Sequence, residues 1–147
     1  MEHLAIFIAI ALLFVALFRV LLWGLGIDRL AKSYPGRKQV LMEGCWAPLA
    51  ANVGSKDGWV WLLNWHFQVS DQTLYMNVAP QFLFAWLFPS LGIPVSALAQ
   101  IPSSEQKTIG GWRAAFRVQG TKFVFRLPSC IAGPVLESAA NGGPANA

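Results

Sequence analysis

Chemically versatile side chains are scarce in this chain of 147 residues, which carries two histidines, two cysteines and seven acids. A structural zinc site needs about four Cys or His ligands. Here His3 precedes the first apolar run, which leaves Cys45, His66 and Cys130 without any C-x-x-C spacing. The acids Glu2, Asp28, Glu43, Asp57, Asp71, Glu105 and Glu137 are scattered, and no two share a short motif suited to paired acid–base work. No G-x-G-x-x-G or G-x-x-x-x-G-K-[ST] sequence is present to cradle phosphate, and Gly110-Gly111 reads as a turn. Cys45 and His66 could pair as nucleophile and base by residue type alone, but no motif supports them, and His66 reads as a half-buried strand residue. These absences together argue against an enzyme, and no cofactor and no metal are expected.

Charge is also missing locally: none lies between Gln72 and Ser104. Within that stretch "VAPQFLFAWLFPSLGIP" could suggest a second membrane pass. Pro80, Pro89 and Pro94 divide it, and the proline-free piece from Gln81 to Phe88 falls well short of the roughly 20 residues a spanning helix needs. As a strand, "FLFAWLF" would place bulky groups on both faces, and both would need cover. Two readings remain. The segment is core, or Phe82, Phe84, Trp86, Leu87 and Phe88 partly leave the domain and touch the membrane interface or a neighbouring protein.

What the chain does have is hydrophobicity, at 55% of residues. Leu4 to Phe18 is unbroken apolar sequence; Arg19 interrupts, and "VLLWGLG" continues. With Arg19 snorkelling to the headgroups, residues 4–25 predict a transmembrane helix, with Trp23 near the interface. A cleaved signal peptide would want cations before the run and small residues after it. Met1-Glu2-His3 offers no Lys or Arg, and the run ends in bulky residues. Residues 1–3 are then a short outer terminus and 26–38 a basic juxtamembrane connector, in which Ile27 to Pro35 reads as a last helical turn or two stopped by Pro35 and Gly36. Arg19, Arg29, Lys32, Arg37 and Lys38 all follow the apolar run, so the positive-inside rule predicts the N-terminus outside and the remainder in the cytoplasm of a bacterial inner membrane. Arg19, Trp23, Arg29 and Lys32 are the expected interface anchors. Cytoplasmic thiols stay reduced, so Cys45 and Cys130 are expected as small buried residues; a periplasmic domain would instead allow them to pair.

Residues 39–130 carry strand signals. "WVWLLNWHFQVS" and "TLYMNVA" predict a hairpin around Ser70-Asp71-Gln72. "IPVSALAQI" fits a strand or a short helical turn. "GWRAAFRV" and "KFVFRL" predict a second hairpin, whose alternation puts Trp112, Ala114, Phe116 and Val118 with Phe123, Phe125 and Leu127 on an apolar face. Arg113, Arg117, Lys122 and Arg126 fall on the other, a basic face suited to solvent, phospholipid headgroups or an acidic partner. Nucleic acid is not expected, because a net charge of +4 is modest and the aromatics of this hairpin point inward. Residues 131–147 read as a flexible tail, although "VLESAA" could begin a short helix.

Val69-Ser70, Leu74-Tyr75 and Ile93-Pro94-Val95-Ser96 with Leu98 resemble the outline of bacterial PH-like and GRAM-like domains. "LAKSYP" is similar to the start of small bacterial membrane proteins carrying such a domain. The resemblance covers roughly residues 30–130; Val95 stands where an aromatic is usual, and no C-terminal capping helix is evident. It implies a transmembrane helix followed by a mainly antiparallel β domain, a small curved sheet or barrel, used for binding rather than catalysis.

The expected role is that of a membrane-anchored, non-catalytic accessory or assembly subunit whose β domain binds a larger integral membrane protein complex. The alternative is a lipid- or small-ligand-binding module.

Overall fold

The computed structural model describes residues 2–37, 44–53, 60–78, 88–101 and 112–141. Helix α1 runs Glu2–Gly24. Its 23 residues give about 34 Å of helix at 1.5 Å per residue, enough to cross a bilayer. Gly26, at φ 77°, occupies the left-handed region that a helix end favours, and Gly26 N–H donates to the Trp23 carbonyl at 3.0 Å. A second helix, α2, starts at once and covers Ile27–Ser33.

Among the described residues seven strands follow: β1 (Cys45–Val53), β2 (Val60–Ser70), β3 (Thr73–Val78), β4 (Leu91–Pro94), β5 (Leu98–Gln100), β6 (Trp112–Val118) and β7 (Phe123–Pro128). They form one antiparallel sheet in the order β4-β3-β2-β1-β7-β6-β5. The first four strands are one meander and the last three another. β1 joins them, pairing with β2 from Cys45 to Ala51 and with β7 from Ala50 to Val53. A register shift between Pro48 and Ala50 falls where the partner changes, and it accommodates a proline that cannot donate to a ladder.

The predicted hairpins are present. β2 and β3 are joined by Asp71 and Gln72, at φ 49° and 56°, so this two-residue turn is of the twisted kind that suits a hairpin, though it contains no glycine. "IPVSALAQI" turns out to be both of the things predicted: β4, a single 3₁₀ turn at Val95–Ala97, then β5. That turn is tied to both hairpins. Val95 N–H donates to the Gln72 carbonyl, and Gln119 N–H donates to the Ala97 carbonyl, each at 2.8 Å.

One sequence expectation is corrected. Residues 131–147 are not simply a tail, because α3 runs Ser129–Asn141 and buries Ile131, Ala132 and Val135. α3 packs against β2, β6, β7 and the 3₁₀ turn. The basic connector holds the short helix expected there, α2, over Ile27–Ser33. Ile27 and Leu30 of α2 are buried, and Tyr34 to Gly36 runs along the edge of β4. There Gly36 N–H donates to the Ser90 carbonyl and Gly92 N–H to the Tyr34 carbonyl, both at 3.0 Å. A Cβ on Gly36 would lie 2.6 Å from the backbone of Leu91, so only glycine permits this approach. The strap thereby satisfies an edge strand that would otherwise be open to foreign pairing.

One core serves all of this. Trp65, Phe67, Leu74, Met76, Leu91, Ile93, Val118, Phe125 and Leu127 fill its centre, and Phe18, Leu22, Leu25, Ile27 and Leu30 extend it into the helices.

Candidate functional site: the anchor–sheet junction

The first site is where the apolar helix meets the sheet. Phe18, Leu22 and Leu25 recur at helical spacing and are buried, whereas Leu17, Val20, Leu21 and Trp23 on the rest of the same turns are exposed. Phe18 meets Phe88 edge to face, with ring centroids 5.0 Å apart, a favoured aromatic geometry. The last two turns of α1 therefore have two solvents: the protein core on one side and whatever surrounds the helix on the other. Nothing in an all-apolar run marks that division, and so sequence reasoning missed the stripe.

Arg19 does not reach outward as a free snorkelling cation. Its Nη1 lies 2.8 Å from Asp28 Oδ1 on α2, an ion pair that closes the α1–α2 corner. Arg29, Lys32 and Arg37 are exposed, and Trp23 is 67% exposed. Three of the four expected interface anchors thus lie on the surface of one corner, and the fourth, Arg19, is partly buried and paired with Asp28 at that corner.

Of the proposed contact segment, Phe82, Phe84, Trp86 and Leu87 lie outside the described residues. Phe88 is described and is only 3% exposed, packed on Phe18, so it belongs to the core rather than to an outward contact surface.

The basic hairpin face is rearranged. Ala115 pairs with Arg126 and Arg117 with Val124, as alternation requires, but the register shifts between Trp112 and Ala114. Trp112 consequently pairs with Pro128, and the alternation read from the sequence does not run through Arg113, whose side chain lies outside what the structure describes. Arg117 and Lys122 are exposed. Arg126 is not: it is 5% exposed, beside Ala115 which is buried too, and burial holds its guanidinium below the ordinary value. The four-cation surface expected from the sequence reduces to Arg117 and Lys122 among the described side chains.

The second site lies at the start of β1. Cys45 and Cys130 form a disulfide, with Cα atoms 6.3 Å apart, which corrects the expectation of two reduced, independently buried thiols. Cys45 is half-buried and Cys130 exposed. Trp46, next to the bond, is 46% exposed, and its ring lies 4.4 Å from that of buried His66. With Cys45 engaged by Cys130, a Cys45–His66 nucleophile and base is not assembled in this state. Gly44, at φ 126°, comes so close to Phe67 and His66 that a Cβ there would overlap both. Among the described residues no group of three or more His, Cys, Asp or Glu could hold a metal.

No protein-family model, no curated protein and no solved structure matches this chain.

Proposed function

We propose that this protein is a single-pass, membrane-anchored accessory subunit whose β domain is held at the membrane surface to bind a larger integral membrane protein complex, without catalysis of its own. The observation that carries this reading is the shared core. Phe18, Leu22 and Leu25 of the apolar helix are packed with Ile27, Leu30 and the sheet, so the domain is not a bead on a flexible tether. Such a junction fixes the height and attitude of the sheet above a bilayer, which is what a subunit docking beside another membrane protein needs. It also argues for a retained anchor, because cleavage after the apolar run would strip Phe18, Leu22 and Leu25 from the core. Exposed Arg29, Lys32 and Arg37 around Trp23 suit the headgroup layer.

The strand order β4-β3-β2-β1-β7-β6-β5, followed by a C-terminal helix, supports the PH-like reading, including the capping helix that the sequence did not reveal. Folds of that shape host many binding roles. The cations that follow the helix favour a cytoplasmic domain at a bacterial inner membrane, with the N-terminus outside.

Mild detergent extraction, native electrophoresis and co-purification test the proposal. Co-migration with a large complex is expected. A free monomer that retains stoichiometric lipid would replace this reading with a lipid-binding module. A reporter fused after Asn141 should be active on the cytoplasmic side.

A further inference from the structure

We infer that the Cys45–Cys130 cystine is a reversible thiol–disulfide site, open to a dithiol reductant, and that it latches α3 onto the sheet. The inference rests on the cytoplasmic placement proposed above. In that compartment thiols are held reduced, and a cystine that forms there is ordinarily transient, catalytic or sensing rather than a permanent staple. Yet two cysteines 85 residues apart in sequence are brought together within bridging distance. Chain folding and compartment chemistry are reconciled if the bond is made and broken in the working life of the protein.

Its placement suits exchange. Cys130 is exposed and Cys45 half-buried, and the neighbouring Trp46 is itself well exposed, so the bond lies at the surface and not within the core. Its placement also gives the bond something to control. Cys130 is the second residue of α3 and Cys45 the first of β1. α3 contains Gly133 and Pro134, both poor helix formers, and buries only Ile131, Ala132 and Val135. The helix packs on β2, β6, β7 and the 3₁₀ turn, and the cystine ties its first turn to β1, the strand beside β7.

The chemistry balances with a dithiol protein as co-reactant. One thiolate of the reductant attacks Cys130 Sγ, the S–S bond breaks, and Cys45 leaves as a thiolate that takes up a proton. The second thiolate of the reductant then attacks the mixed disulfide and releases Cys130, which is protonated in turn. The cystine gains two electrons and two protons, and the reductant becomes a disulfide. Reoxidation by a disulfide-bearing oxidant reverses each step.

The test uses the full-length protein in lipid nanodiscs, with and without dithiothreitol and then a thioredoxin-type dithiol protein, followed by amide hydrogen exchange. Reduction should speed exchange across residues 131–141 about tenfold or more beyond any change at residues 73–78, whose protection follows global stability alone. Equal protection of α3 in both states overturns the latch. In cells, maleimide–polyethylene glycol trapping should find both forms, with the ratio moving toward oxidised on treatment with diamide. Two further outcomes each overturn the inference. A cystine that is fully oxidised at all times, with a reporter after Asn141 active only outside, removes both the switch and the cytoplasmic placement. Thiols that never pair under diamide, with the reporter inside, remove the switch alone. Reduction needs no substitution, so the measurement does not depend on whether C45S/C130S folds; that variant, where it folds, should match the reduced protein.

Discussion

Two helical elements are attached to the same sheet, and they are attached by different physics. At the anchor end, α1, α2 and the turn between them contribute five buried apolar side chains and an ion pair, and Tyr34 to Gly36 adds a strap of backbone hydrogen bonds along β4. At the other attachment, α3 contributes three buried side chains and one covalent bond. Apolar packing acts through many weak contacts and is indifferent to redox conditions. A cystine acts at one point, largely by restricting the unfolded chain, and it can be removed by a single reaction. The comparison teaches which end can respond to its surroundings: the anchor end is built to stay, the α3 end can be released.

The largest effect should come from the covalent attachment. Closing a loop of this length is worth about 4.6 kcal/mol in the chain-entropy account. Cys130→Ser should therefore lower the unfolding free energy of the oxidised protein by about that amount in urea titrations in detergent micelles, and dithiothreitol should lower the wild type equally. If the wild type is insensitive to reductant, the contrast between the two attachments disappears.

At the anchor end, Leu22→Ala removes a fully buried side chain from the junction. A loss of about 3 kcal/mol is expected, the same with and without reductant. Redox-dependent loss at Leu22 would mean that the two attachments are coupled and not independent.

The strap offers a third point of attack. Gly36→Ala drives a Cβ into the backbone of Leu91, and the strap or the edge strand must shift. A cost of about 2 kcal/mol is expected, with faster hydrogen exchange confined to the amides of Gly36 and Gly92. Loss of protection spreading into β2 would show that the strap stabilises the whole meander and not merely its edge.

These elements were unequally legible in the sequence. The first hairpin was, since "WVWLLNWHFQVS" and "TLYMNVA" carry aromatic and branched residues on either side of a polar turn, and β2 and β3 occupy nearly those residues. The same holds for the apolar helix, where length and composition suffice. α3 was legible only in part: "VLESAA" read as the start of a short helix, but its first turns, with Gly133 and Pro134, carry no propensity signal and form because Ile131, Ala132 and Val135 find a sheet to pack on. The cystine was open only as a conditional, since sequence cannot tell which distant residues a fold will bring together. Arg126 was misread for a related reason. Alternation correctly put it opposite the apolar face, but a face away from one core is not thereby exposed, and here Ala115 and Arg126 are both buried. Around the candidate junction, the cations were visible, while the stripe from Phe18 to Leu25 and the partnership of Arg19 with Asp28 depend on where the chain turns back at Gly26.

The smallest effect is expected at that ion pair, and its size is informative. Arg19 and Asp28 are partly exposed, at 39% and 20% of their side chains. In a watery or headgroup environment such a pair contributes about 0.5 kcal/mol, because solvent or lipid phosphate can replace the lost partner. Asp28→Asn should therefore change the urea midpoint only slightly, and added salt should shrink the difference further. A pair sunk in hydrocarbon behaves otherwise, since removing one partner there strands a charge and costs about 3–5 kcal/mol. A large, salt-insensitive loss would thus move the membrane boundary past the α1–α2 corner and place Trp23 within the acyl region. A small one keeps the corner at the surface, with Arg29, Lys32 and Arg37 among the headgroups and the sheet held just above them.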